Sequence, residues 1–233
     1  MSLTPFIEPQ IARIAPGFRG LSIIAEADGL ADESVPDQML EKAVAAVRNG
    51  EPEWADAHLE AWREVFRRFG AKAQRTPCSA EALRKRVLRD GSMPQLHPIV
   101  DLYNAISLRF AVPVGGENLA AYVGTPRLAV ATGTEVFDTI RDGQPAEEHP
   151  EPGEVVWRDD HGVTCRRWNW RQGVRTRLDS DARRMWFILE SLPAMPLAAL
   201  HQAGDELVDG LHAMMRNPTV EITLIQVPEG GTD

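Results

Sequence analysis

The chain has 233 residues, 43% of them hydrophobic and 25% charged, with a formal net charge of −9. This is globular composition, and it excludes disorder, collagen and coiled coil as whole-chain descriptions. No apolar run approaches the ~18 residues of a membrane helix, Met1 to Pro9 has no secretory pattern, and two cysteines, Cys78 and Cys165, fit a reducing, cytoplasmic setting.

In chain order, Phe18 to Ala25 predicts a strand after Pro16-Gly17. Pro36 opens a helix to about Arg48, closed by Asn49-Gly50. Trp54, Leu59, Trp62, Phe66 and Phe69 recur at mostly three- and four-residue spacing, which predicts a helix with one buried face, stopped by Gly70. That spacing marks them as core rather than as a stacking platform for bases. Ser79 is the expected N-cap of a helix over Ala80 to Arg89. Pro98 begins another to about Phe110, with Asp101, Asn104 and Ser107 forming a polar ridge. Gly115-Gly116 reads as a turn, and Leu128 to Ala131 as a short strand.

Asp142 to Pro152, rich in Pro, Glu and Gly, predicts a surface loop. Glu154 to Arg158 and Val163 to Arg171 predict a hairpin across Asp159-Asp160-His161-Gly162. Arg183 to Leu192 contains a continuous apolar run that suits a buried strand. Pro196 to Met215 predicts a helix, Thr219 to Val227 an edge strand, and the last six residues read as loose. The mixture lacks a regular βαβ alternation. The expected fold is α+β, one domain over residues 1–233, with a core over about 17–215 and a strand and tail over 216–233.

Charge is unevenly spread. Residues 63–89 hold nine Lys or Arg and two acids, and residues 158–184 hold eight arginines and four aspartates. An acidic body with two basic segments can still steer a polyanion, because the local field guides the encounter; solvated helix faces and internal ion pairs are the alternative. The six histidines show no metal spacing and read as surface or capping residues, and Cys165 reads as an inert buried thiol. No phosphate loop or nucleophile elbow is present. Neither a metal nor an organic cofactor is expected.

The strongest local feature is Cys165 to Gly173. On one strand, Arg166, Trp168, Trp170 and Gln172 share a face, and Cys165, Arg167, Asn169 and Arg171 share the other. Neither is an ordinary core face, because unpaired buried polar groups are costly. These side chains therefore meet a ligand, solvent, or acids such as Asp101 or Glu154. Arg suits phosphate and carboxylate, and Trp can stack on a base or cap a small pocket.

Four ordered blocks carry a family resemblance: Val100 to Leu108, Pro113 to Gly116, Gly153 to Asp159, and Arg166 to Arg171. They resemble the freestanding B-three/B-four domains, which are similar to the editing domain of the phenylalanyl-tRNA synthetase β subunit. The resemblance runs from about Gly17 to Met215. It implies an α+β domain that binds the acylated 3′ end of tRNA and hydrolyses mischarged amino acid from it in trans. In this chain Gly115 stands where the synthetase domain has a histidine, and Trp170-Arg171-Gln172 stands in place of its glycine-glycine-glutamate turn.

On that basis the expected catalytic groups are Asn169, the Gly115-Gly116 backbone and Asn104. The expected substrate-binding groups are Asp101, Arg166, Arg167, Trp168, Trp170, Arg171 and Gln172. Arg166, Arg167 and Arg171 would meet the terminal phosphates or adenosine, and the tryptophans would shape the amino-acid pocket. Two other readings stay open: a non-catalytic module that holds tRNA or another RNA, and a hydrolase of small amino-acid esters or amides.

Overall fold

The computed structural model describes residues 4–227; the terminal residues read above as loose lie outside that range. Its elements in order are β1 (Phe6–Ile7), α1 (Ile11–Ile14), β2 (Arg19–Glu26), α2 (Val35–Arg48), α3 (Ala55–Arg68), α4 (Ser79–Asp90) and α5 (Pro98–Phe110). Then come β3 (Val114–Asn118), β4 (Arg127–Val130), β5 (Phe137–Arg141), β6 (Gln144–Glu148), β7 (Val155–Arg158), β8 (Val163–Arg166) and β9 (Arg171–Gln172). The described chain ends with β10 (Arg184–Ser191), α6 (Leu197–Met214) and β11 (Thr219–Gln226). Helices and two mixed or antiparallel sheets make this an α+β structure, as expected. No helix among the described residues is long and apolar enough to cross a membrane.

The smaller sheet has the order β11-β2-β10-β3, all antiparallel, so β11 is an edge strand. Strand β10 is buried on both faces, which explains its unbroken apolar run. Met185, Phe187 and Leu189 join Leu102 and Ile106 of α5 and Leu200, Leu207 and Leu211 of α6 in one core. Trp186 and Ile188 point the other way, into a second core with Trp62 and Phe66 of α3 and Val155 and Trp157 of β7. This second core joins the small sheet to the larger one, whose order is β1-β4-β7-β8-β5-β6 with β9 beside β8.

Local chemistry sets the helix limits. The His97 imidazole accepts from the Ile99 N–H at the start of α5, where Pro98 needs no donor partner, and Ala111 ends the helix in a left-handed turn (φ 50°). Cys78, extended, takes the N-cap position of α4 in place of Ser79, which is already helical and whose hydroxyl has no partner. His58 is no surface residue: it is fully buried, donating from Nδ1 to Ala111 O (2.8 Å) and accepting the Leu192 N–H at Nε2 (3.1 Å). Burial pushes its pKa down to about 4 and keeps the ring neutral.

Three expectations fail in ways that matter for the site. Gly115-Gly116 is not a turn; both glycines lie inside β3 and pair with Ile188 and Phe187 of β10. Residues 142–152 are not one loop, because Asp142 (φ 52°) and Gly143 (φ 76°) form the tight turn of the β5–β6 hairpin. The strand expected to reach Arg171 stops at Arg166. Arg167 (φ 47°) and Trp168 (φ 66°) then turn in the left-handed region, and β9 folds back on β8.

The glycines of β3 have different reasons to be there. A Cβ on Gly116 would lie 2.8 Å from Tyr103 Cε1 and 3.0 Å from Leu178 Cδ1, whereas one on Gly115 would meet only Ile188 Cγ2 at 3.5 Å. Overpacking at a tight site costs about 1–3 kcal/mol, more than the ~0.4–1 kcal/mol gained by restricting the unfolded chain. Gly116→Ala is therefore expected to lower the urea midpoint clearly, while Gly115→Ala leaves it near wild type.

Candidate active site

A cavity of about 250 Å³ lies where β3, β10, the 167–172 turn and the inner faces of α4 and α5 meet. Trp157, Trp168, Trp170 and Trp186 form much of its wall, with Tyr103 and Ile188. Its polar lining is Asn104, Glu117, Cys165, Asn169, Arg171, Gln172 and Glu190, with Ser79 from α4. Sequence reasoning missed the two carboxylates, and they dominate the chemistry.

Glu190 projects from β10 and is 1% exposed. Its Oε1 accepts the indole N–H groups of Trp157 (2.8 Å) and Trp168 (2.9 Å), and its Oε2 accepts from Asn169 Nδ2 (2.9 Å). Burial raises its pKa to about 7 against those three hydrogen bonds, with a further push from Glu117. Glu117 projects from β3, 5% exposed, and accepts a hydrogen bond from the Tyr122 hydroxyl. Burial raises its pKa also to about 7. Among the described residues neither carboxylate has an Arg or Lys within ion-pair distance. A buried carboxylate that titrates near neutrality is suited to proton transfer at neutral pH.

The 167–172 turn completes the site. Glu154 is the post it turns around: it accepts the Arg167 N–H at 3.0 Å and holds both sides of the Arg166 guanidinium. The Trp168 N–H bonds Val155 O at 2.6 Å, and the indole is fully buried against Phe18 and Trp62, with ring centroids at 4.9 and 5.3 Å. This packing holds two non-glycine residues in a left-handed conformation that normally costs about 1–3 kcal/mol each. The result aims Asn169 at Glu190. With its Nδ2 bonded there, the Asn169 Oδ1 is buried without a partner.

The expected site residues divide accordingly. Asn104, Gly115, Trp168, Asn169, Trp170, Arg171 and Gln172 line the cavity. Gly116 does not: its side of β3 faces Tyr103, and its carbonyl accepts from Gln172 Nε2 at 2.9 Å. The Gly115 N–H is directed at β10, because the Glu190 N–H to Pro113 O bond sets the alternation of that ladder. Within the ladder it is spent and cannot orient a substrate carbonyl.

Asp101 lies outside the cavity and caps the loop before α5 by accepting the Leu96 N–H. Arg166 is 6% exposed and bound to Glu154 and Glu148, so it has no free face for phosphate. Arg167 stacks on the Trp170 ring at 4.6 Å from outside the cavity, and Arg171 donates to Thr139 Oγ1 at 2.7 Å. Burial raises the Cys165 pKa well above the ordinary thiol value, so this cavity-lining sulfur stays protonated. Among the described residues no cluster of three or more His, Cys, Asp or Glu is placed to hold a metal ion.

The family model of the B3/4 domain matches residues 61–201, more than half of the chain. The chain belongs to the B3/4 domain family. No curated relative matches this B3/4 protein in sequence. Among solved structures it aligns with an N-terminal fragment of the phenylalanyl-tRNA synthetase β-subunit from Pyrococcus horikoshii, at 13% identity and a TM-score of 0.48. That alignment covers 94% of this chain and 50% of the other, so the B3/4 chain spans about half the length of the fragment. The matched segment of the B3/4 protein includes every residue named in the cavity, from Ser79 to Glu190.

Proposed function

We propose that this B3/4 protein hydrolyses aminoacyl esters, with the acylated 3′ end of tRNA as substrate. The observation that carries the reading is the Asn169–Glu190 pair: a near-neutral carboxylate beside a buried, unpartnered amide oxygen in a small aromatic cavity. A cavity of about 250 Å³ has room for an aminoacyl group and a water but not for a folded polymer. The partner is named from the resemblance of the sequence blocks to tRNA-editing domains.

In the proposed reaction one water hydrogen bonds to Asn169 Oδ1 and the other is drawn to Glu190. Glu190 takes that proton as the water oxygen bonds to the ester carbon. The acyl carbon–oxygen bond to the ribose then breaks, and the ribose oxygen recovers the proton from Glu190. The tryptophan walls exclude competing solvent, and Glu117 accepts the substrate ammonium. An aminoacyl ester is already activated, so positioning and one general base suffice.

Small amino-acid esters are the competing substrates. In their favour, Arg63, Arg67, Arg68, Lys85 and Arg89 of the basic segment are tied into ion pairs, and Arg84 donates to Leu108 O. The test is a panel of tRNAs charged with each amino acid in turn, alongside the free amino-acid methyl esters. Wild type is expected to release label from a subset of the charged tRNAs. Asn169→Ala should slow that release about 100-fold through loss of water positioning. Methyl esters cleaved as fast as the best tRNA would select the small-molecule reading. No hydrolysis above buffer of any species would overturn both.

A further inference from the structure

The small sheet has two edges, and they differ. Along β3 the outer side is occupied: the Asn118 N–H bonds Thr176 O, and the Gly116 carbonyl accepts from Gln172 Nε2 at 2.9 Å. Along β11, among the described residues, no strand pairs on the side away from β2. The edge strand of the large sheet, β6, has five residues and carries Pro145, Glu147 and Glu148, which discourage pairing. Strand β11 runs for eight residues, with Glu221 as its one charge and no proline, lysine or glycine. A long edge without such guards pairs readily with another strand.

Hydrogen bonds at the ends of the ladder fix which groups of β11 point outward. The Val227 N–H bonds Phe18 O, and the Ala27 N–H bonds Arg183 O. The alternation of an antiparallel ladder then turns the N–H and C=O of Val220, Ile222 and Leu224 away from β2. The side chains of these three residues share one face of the sheet, where Val220 and Leu224 pack against the core around Leu207 and Leu211 of α6. Helix α6 packs over β2 and β10, so the stripe on β11 is only partly covered, and Ile222 is 45% exposed.

We infer that β11 pairs antiparallel with β11 of a second copy of this chain, about a two-fold axis beside Ile222. In this register Ile222 lies opposite its own copy and Val220 opposite Leu224. These positions then exchange backbone hydrogen bonds and match apolar side chains across the junction. Glu221 lies opposite Thr223. An axis beside Glu221 would set two carboxylates against each other, and one beside Thr223 would pair Val220 with Gln226. The strand is thus complementary to itself, which favours a second copy and one register. Such an isologous interface closes at two chains. It joins the two small sheets into one and leaves the cavity, beside β3 and β10, clear of the junction. Nothing in it depends on the proposed ester chemistry.

The test follows the mass of the full chain by sedimentation velocity over a range of protein concentrations. Wild type is expected to pass from monomer to dimer. Ile222→Lys, which sets two ammonium groups opposite each other, should raise the dissociation constant at least about 10-fold, with a urea midpoint near wild type. Cysteine variants read the register. The Cα atoms of Ile222 and its copy would lie about 5.5 Å apart, within disulfide reach. Those of Thr219, whose counterpart is Ile225, would lie about 20 Å apart. Under mild oxidation Ile222→Cys should give a covalent dimer, and Thr219→Cys should not exceed wild type, whose Cys78 and Cys165 set the background. A monomer at every concentration overturns the inference. So does a dimer that Ile222→Lys leaves intact, or cross-linking by Thr219→Cys equal to that by Ile222→Cys.

Discussion

Replacing Glu190 with glutamine is expected to remove ester hydrolysis and, at the same time, to stabilise the fold above pH 7. Glutamine keeps the shape of the side chain and an oxygen for the Trp157 and Trp168 indoles. The Asn169 amide then turns its oxygen toward the new NH2 group, satisfying the atom now left without a partner. What disappears is the proposed base, and loss of a general base costs about 10²–10⁴ in rate. Wild-type activity should rise as pH increases through about 7, where Glu190 ionises. The residual activity of Glu190→Gln should lack that rise.

The stability effect has the opposite pH sense. Burial raises the Glu190 pKa from an ordinary 4.5 to about 7, so the folded protein holds its proton more tightly than the unfolded chain. That contribution is complete below pH 4.5, and it is lost as pH rises through about 7. At 1.36 kcal/mol per pKa unit, ionised Glu190 costs the folded state about 3 kcal/mol. Urea unfolding at pH 8 should therefore show Glu190→Gln more stable than wild type by up to that amount. At pH 4 the two should nearly coincide. Equal stabilities at both pH values, with hydrolysis unchanged, would mean that Glu190 is neither strained by burial nor the base.

How much of this was readable in the sequence depends on where each residue's partners lie. Helix α5 was readable at both ends because its signals, Pro98 and Pro113, are local, although the His97 cap was not singled out. Strand β10 was readable because burial on both faces leaves an apolar run. Strand β3 was not, since two glycines suggest a turn until Tyr103 and Leu178 are seen packed on the backbone of Gly116. Strand β6 was hidden because it is an edge, and edges tolerate Pro145 and a run of glutamates. The odd composition around Asn169 marked part of the site. The carboxylates gave no comparable signal, although Glu190 is the one acid in an apolar run and Glu117 directly follows the glycines. The partners that give Glu190 its meaning, Trp157, Trp168 and Asn169, sit on other elements. For the same reason the arginines of the 166–171 segment read as ligand contacts, because nothing local pairs Arg166 with Glu148 and Glu154.

That pairing makes Arg166→Met the other large expected effect, and it separates a structural arginine from a phosphate ligand. The guanidinium donates to both oxygens of Glu154, at 3.0 and 2.9 Å, and to Glu148 at 2.9 Å, with the Glu154 side chain only 4% exposed. Breaking a buried pair from one side leaves a charge without compensation and costs about 3–5 kcal/mol. Arg167 Nε, at 3.6 Å from Glu154, keeps part of the charge compensation but makes no hydrogen bond there, so the loss is expected toward the lower end of that range. Glu154 also accepts the Arg167 N–H, so its movement would release the turn that presents Trp168 and Asn169 to Glu190. Urea unfolding of Arg166→Met should show that loss, and ester hydrolysis should fall with it. The double variant Arg166→Met/Glu154→Gln is expected to recover part of the stability, since glutamine removes the uncompensated charge and keeps an oxygen to accept the Arg167 N–H. An arginine that served RNA would behave differently: Arg166→Met would keep its stability, and only the salt slope of RNA binding would flatten.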